Sequence, residues 1–358
     1  MYHDTHTDMN SFFSKGAAVA AGSGYAVNFV CNLFGGFHAA LQTSAVILAG
    51  IFGFLCYLRV ECFHKTFERY DRSADLTNRT ALVTGGTIGG LGFESAKILA
   101  MLGASVIISV RTEAKGDAAV QQIKLACGHD RVTYHCIDFL SAASIIQGSA
   151  KIIASISRLD MLVLSAGVGS GPSTEMWMVN LLGPFLLTNL LTPLLTATAK
   201  AHGDVRVCSV SSSAHRIAKI SFDNVWQPVG STPYGQSKLA QIMHMRQLQQ
   251  RLRSLPGLEG QTAVRCIAAM PGMSWTNMFA KHIPFWMRPL PFFMSRSAHI
   301  GAHAIKMALI DPDVPGGSYV ENCRIGRAEG ADGCANEPAQ WAQLWEVCER
   351  NLEEWRFP

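Results

Sequence analysis

From Arg79 onward, short apolar runs alternate with stretches of helical periodicity, and few architectures accept that alternation. It predicts a parallel sheet wrapped by helices, because a strand that returns in the same direction needs a crossover long enough to hold a helix. Strands are expected at 80–84, 105–109, 131–136, 161–165, 205–210, 263–269 and 317–321, and helices at 92–102, 113–127, 141–158, 174–199, 232–255 and 297–310. Beyond them, "PAQWAQLWEVCERNLEEWRF" spaces Trp341, Leu344, Trp345 and Cys348 at helical intervals, so a packed terminal helix is expected ahead of an aromatic binding surface.

The N-terminal part is of a different kind. From Gly16 to Leu58 there is no Asp, Glu, Lys or Arg, and "AALQTSAVILAGIFGFLCYL" matches the roughly 20 residues that one helix needs to cross a bilayer core. A membrane anchor over 38–58 is the expectation; a buried core helix, a cleaved signal peptide and a short hairpin divided at Gly35 and Gly36 are the alternatives. Arg59, Lys65, Arg69 and Arg72 follow the span, against Lys15 alone before it, which places the C-terminal part in the cytosol. No arginine-rich leader precedes the span, Asp4 and Asp8 speak against a mitochondrial one, and "RFP" is no S-K-L signal, so the membrane is expected to be the endoplasmic reticulum. The organisation read from this is a partly apolar tail over 1–37, the anchor, a charged linker over 59–77, a main domain over 78–325 and a C-terminal loop and helix over 326–358.

Composition supports contact with lipid: 49% of residues are hydrophobic and only 16% charged. The net charge of +4 is spread without a dense basic stripe, which argues against a nucleic-acid partner. None of the ten cysteines falls in a C-x-x-C pair, and most lie in apolar runs, so buried reduced thiols are expected rather than a metal site.

Between Gly85 and Gly92 stand five glycines, directly after a strand and directly before "GFESAKILAML". Glycines there let backbone N–H groups approach a pyrophosphate, and the N-terminus of the following helix favours its negative charge. A plain tight turn is the alternative. Farther on, Tyr234 and Lys238 in "YGQSK" are four residues apart, which on a helix places phenol and ammonium on one face. A neighbouring cation is expected to lower the phenol's pKa toward use as an acid–base group.

These motifs, in this order, resemble the short-chain dehydrogenase/reductase family over most of residues 78–325. The resemblance implies an α/β fold, a single doubly wound Rossmann-type domain that binds NAD(H) or NADP(H). The family's glycine loop reads T-G-x-x-x-G-x-G, whereas here four residues separate Thr84-Gly85 from Gly90-Leu91-Gly92. Taking Gly86 as the first glycine keeps the spacing to Gly90 and Gly92 and displaces the threonine, as a one-residue bulge would. After the second strand, Arg111 stands where a basic residue would meet a 2′-phosphate, so NADP(H) is preferred and NAD(H) is the alternative. Asp138 matches the family's aspartate beside the adenine, and Ser165, Ala166 and Gly167 stand where the family more often has N-A-G.

For the chemistry, the resemblance implies Tyr234 as proton donor or acceptor and Lys238 as ribose ligand and tuner of the tyrosine. It implies Ser212 as the group that orients the substrate oxygen, with Ser211 or Ser213 as register alternatives. Asn180 matches an asparagine that holds a water in a proton relay; Pro271, Gly272 and Thr276 match the turn that meets the nicotinamide. "SSSAHRIAKISFDN", "YGQSKLAQIMH" and "LWEVCERNL" look most like the retinol-dehydrogenase-like branch. His215 belongs to that signature and reads as a packing residue. The segment 282–296, rich in aromatics, methionines and prolines, suits an apolar pocket rim or a lid dipping into the membrane. The expected function is a membrane-anchored, NADPH-preferring oxidoreductase for a lipophilic alcohol and its aldehyde or ketone. An NAD-linked hydroxysteroid or retinol dehydrogenase is the alternative enzyme, and a low-turnover scaffold or redox sensor the alternative class. A homodimer through 174–199 and 232–255 is implied by the family alone.

Overall fold

The computed structural model describes residues 46–54, 70–227, 230–256, 258, 263–281, 295–331 and 333–356. The chain divides into two units, Met1–Glu68 with Pro284–Arg296, and Arg69–Ile283 with Ser297–Pro358. In the first, residues 46–54 form a helix that exposes Ile47, Leu48, Ile51 and Phe52. The rest of the expected anchor, the linker up to residue 69 and most of the 282–296 segment lie outside the described residues.

The second unit holds an eight-stranded sheet. Its strands are β1 (Thr80–Thr84), β2 (Ser105–Val110), β3 (Val132–Cys136), β4 (Met161–Leu164), β5 (Val205–Val210), β6 (Val264–Met270), β7 (Tyr319–Glu321) and β8 (Arg324–Gly326). They lie in the order β8-β7-β6-β5-β4-β1-β2-β3, all parallel except β8, which pairs antiparallel with β7. Every residue of β1 and of β5 is buried, because helices cover both faces and leave neither open to water. This is the doubly wound architecture, with its reversal of strand order between β1 and β4.

The helices are α1 (Leu91–Met101), α2 (Glu113–Cys127), α3 (Ala142–Ser155), α4 (Ser173–Trp177), α5 (Gly183–His202), α6 (Pro233–Arg253), α7 (Asn277–Lys281), α8 (Ala298–Ile310) and α9 (Pro338–Arg356). One core, with Phe93, Leu99, Ile123 and Ile305, joins α1, α2 and α8 to the sheet; a second, with Ile145, Leu187, Met243 and Trp345, joins α3, α5, α6 and α9. The helix expected over 174–199 is interrupted by a π-turn, Met178–Leu182. The stretch Ser173–His202 is the one helix among the described residues long and apolar enough to cross a membrane. Its Leu181, Leu186, Leu187 and Leu191 are fully buried in the second core, which makes it an interior helix of the domain.

Helix α9 packs along α6 and closes the second core, with Leu344, Trp345 and Cys348 buried and the Trp345 ring edge-on to Phe185 at 4.6 Å. Covered in this way, α6 is buried at nearly every position from Gly235 to Gln249 within one chain. Among the described cysteines, Cys208, Cys266, Cys334 and Cys348 are buried. Burial alone pushes the Cys208 thiol up to about 12, so it behaves as an apolar group.

Candidate active site

The reversal of strand order opens a crevice at the carboxyl ends of β1 and β4, and the segments that follow the parallel strands converge there. Thr84 ends β1, and its Oγ1 accepts hydrogen bonds from the amides of Ser165 and Ala166, each at 2.9 Å, just beyond β4. Gly85 follows with φ +72°, and a Cβ on it would lie 2.9 Å from the Ala166 Cα. Only glycine tolerates both the left-handed backbone and that approach. Thr84 is thus tied to the end of β4, and the loop turns at Thr87–Gly90, closed by Gly90 N–H to the Thr87 carbonyl at 3.1 Å. That turn has its own partner: Asn277 Nδ2 donates to the Ile88 carbonyl at 2.7 Å. Sequence reading passed over Thr84, Gly85 and Asn277 in this role.

Gly90 is the N-cap of α1, with no side-chain hydrogen bond, and Leu91 is the first helical residue. Gly92 packs under the loop so closely that a Cβ would stand 2.5 Å from the Gly85 carbonyl oxygen. An uncapped helix N-terminus beneath a glycine loop is a fit for a pyrophosphate: the free N–H groups point outward and the helix dipole favours the anion. Gly86 lies over Ile108 of β2, its N–H donating to the Ser109 carbonyl at 3.0 Å. Arg111 stands exposed one residue past β2, and Asp138 exposed two residues past β3, where its Oδ1 accepts from the Leu140 amide at 3.1 Å. Both lie on the β1–β3 side of the crevice.

On the β4–β6 side the residues expected to carry the chemistry meet. Tyr234 and Lys238 occupy successive turns of α6, with Nζ 5.5 Å from the centre of the phenol ring. The ammonium donates to the Val210 carbonyl at 2.9 Å and to Gln241 Oε1 at 3.1 Å. Of the three serines, Ser212 hydrogen-bonds Tyr234; Ser211 is buried and donates to the Lys238 carbonyl at 2.8 Å, and Ser213 is exposed. Asn180, buried in the π-turn, accepts from the Val168 amide at 2.8 Å and donates to the Val168 carbonyl and to Ser237 Oγ, each at 3.0 Å. A Cβ on Gly167 would touch both Asn180 Oδ1 and Lys238 Nζ, at 3.1 and 3.7 Å, so this glycine makes room for their approach. Pro271, Gly272 (φ +71°) and the buried Thr276 follow β6. His215 is fully buried against Tyr319 with Nδ1 on the Ser212 carbonyl at 2.7 Å, which supports the serine from behind.

Electrostatics correct one expectation. Burial raises the Tyr234 pKa above its ordinary value, and the Ser212 hydrogen bond only partly offsets it; the lysine does not bring it down. The reason is geometric, because Nζ sits against the ring and is bonded to Val210 and Gln241. Burial also lowers the Lys238 pKa to about 8. Around neutral pH the pair is therefore a protonated phenol beside an ammonium, which suits donation of a proton to an oxygen gaining negative charge.

A crevice at the strand reversal, a glycine loop on a helix N-terminus and a Tyr–Lys pair beside a serine define an NAD(P)-dependent oxidoreductase, in which the bound nucleotide supplies or accepts the hydride. The sequence pattern of the short chain dehydrogenase family matches residues 79–284, and the chain belongs to that family. It is 34% identical over 290 residues to the Bos taurus dehydrogenase/reductase SDR family member 13, covering 76% of this chain and 73% of that one. It is 32% identical to human polyprenol dehydrogenase (68% and 77% covered) and 30% identical to human retinol dehydrogenase 14 (80% and 91% covered), so the retinol-dehydrogenase-like branch fits. A Brucella melitensis 3-ketoacyl-(acyl-carrier-protein) reductase solved with NADH shares the fold at TM-score 0.53 and 20% identity, covering 69% of this chain and 97% of that one.

Proposed function

We propose that this protein is a membrane-anchored, NADPH-preferring oxidoreductase that interconverts a lipophilic alcohol and its aldehyde or ketone. The observation that carries the reading is the Tyr234–Ser212–Lys238 group at the crevice, with Tyr234 held protonated by burial. Tyr234 gives the proton to the substrate oxygen, Ser212 orients that oxygen, and Lys238 holds the nucleotide ribose; Asn180 supports the lysine's side of the site. The same group serves both directions, and an NADPH-rich cytosol favours reduction. The lipophilic substrate is supported by relatives named for retinol and polyprenol and by the exposed Ile47, Leu48, Ile51 and Phe52 on the 46–54 helix. Residues 38–58 serve as the anchor, in the endoplasmic reticulum membrane with the catalytic domain in the cytosol.

Leu91 and Gly92 offer their amides to the pyrophosphate at the start of α1, with Gly86 and Gly90 shaping the loop above them; Asp138, Ala166 and Gly167 take the adenosine side, and Pro271, Gly272 and Thr276 the nicotinamide side. Arg111 binds the 2′-phosphate. Its replacement by alanine is expected to weaken NADPH roughly tenfold, a loss of about 1.4 kcal/mol, and to leave NADH within twofold. Fluorescence titration of both nucleotides checks this; equal loss of the two would remove the phosphate assignment.

A further inference from the structure

Helix α6 carries several buried glutamines, and two of them do the same task. Gln236 accepts from the Ser221 amide and donates to the Val225 carbonyl, and Gln249 accepts from the Cys266 amide and donates to the Val264 carbonyl. Each pins a stretch of neighbouring backbone. Gln241 is different: its Oε1 accepts from Lys238 Nζ at 3.1 Å, and its Nε2 donates to the Asn180 carbonyl at 2.6 Å. The orientation of this amide is fixed by chemistry, since an ammonium can only donate and a carbonyl can only accept. Gln241, Lys238 and Asn180 are all buried, so no water competes for these bonds.

We propose that Gln241 is a positioning residue for Lys238: it bridges the ammonium to the π-turn at Asn180 and fixes where Nζ can meet the nucleotide. Val210 and Gln241 take two of the three ammonium protons, and the third is directed by those two. The proposal rests on the reading that Lys238 binds the nucleotide. Its consequence is that Gln241 helps decide up to what pH the lysine stays charged, because an acceptor on the ammonium favours the charged form. Facing Nζ are Tyr234 on its own helix, the Val210 carbonyl from β5, Gly167 from the segment after β4 and, through Gln241, the π-turn carbonyl of Asn180. Burial is the cause of the lysine's lowered pKa, with no carboxylate or second cation contributing.

The test is NADPH affinity as a function of pH, by fluorescence titration of the full chain in detergent, for wild type, Lys238→Met, Gln241→Met and Gln241→Glu. Both substitutions at 241 conserve volume and differ in charge, so a packing defect would act alike in the two. Wild-type affinity is expected to fall as pH rises through about 8, where the ammonium loses its proton, and Lys238→Met should abolish that fall. Gln241→Met should move the fall to lower pH by about one unit and Gln241→Glu to higher pH by about one unit, since the first removes an acceptor and the second adds an anion. If Lys238→Met removes the fall but the two Gln241 variants leave it in place, or move it in the same direction, Gln241 does not position the lysine and the proposal is overturned. If the fall survives in Lys238→Met, or wild type binds no NADPH, the nucleotide role of Lys238 fails and the proposal fails with it.

Discussion

Tyr234→Phe is expected to lower turnover on the order of 10³-fold, as the removal of a positioned proton donor does. Phenylalanine keeps the ring that lies against Lys238 Nζ, so packing survives and only the hydroxyl bonded to Ser212 is lost. Nucleotide binding should persist within a few-fold, which separates a chemical role from a structural one. The measurement is kcat together with a nucleotide titration on the same preparation. A variant that keeps its rate would show that the proton comes from elsewhere.

The other large effect is expected at Gly92. Alanine there would place its Cβ 2.5 Å from the Gly85 carbonyl oxygen and 2.7 Å from that of Thr84, both backbone atoms at the end of β1. Neither can rotate away, so α1 and the glycine loop must separate, at a cost of about 1–3 kcal/mol. The N–H groups at the helix N-terminus then lose their aim, and nucleotide affinity should drop by roughly tenfold or more. Gly128→Ala is the control: the glycine caps α2 with φ +73° and has nothing within 4 Å of its Cβ position. It should cost about 1 kcal/mol of stability through its backbone conformation and leave nucleotide binding intact. Equal effects of the two on binding would mean that loss of stability, and not the loop geometry, is being read.

The alternation of strands and helices was legible because every central strand is covered on both faces, which forces apolar runs such as "TALVT" and "VRVCSV". Element ends read from that pattern fall within a few residues of the structure; the helix expected over 141–158, for example, runs Ala142–Ser155. The π-turn at Met178–Leu182 was not legible, since its sequence, MVNLL, has the same apolar character as an ordinary helical turn. Strand β8 was missed because it is three residues long and mostly exposed.

Tyr234, Lys238 and Ser212 could be found by spacing and resemblance, but the sign of the tyrosine's shift could not. It depends on where Nζ rests, which is set by Val210 from another strand and by Gln241. In sequence Gln241 is one polar residue among several on α6, and only the fold shows that it spans Lys238 and Asn180. The anchoring of Thr84 was hidden likewise, because it is held by amides that lie 81 and 82 residues away along the chain.

The central claim, nucleotide-linked redox chemistry on a lipophilic carbonyl, is tested most directly by following NADPH and NADH oxidation by the detergent-solubilised full chain. The panel contains retinal, a prenyl aldehyde, a keto-steroid and a long-chain fatty aldehyde. The predicted result is NADPH consumption with at least one of them, faster than with NADH and matched mole for mole by the alcohol formed. No consumption with any member of the panel, together with no binding of either nucleotide in direct titration, would contradict the account.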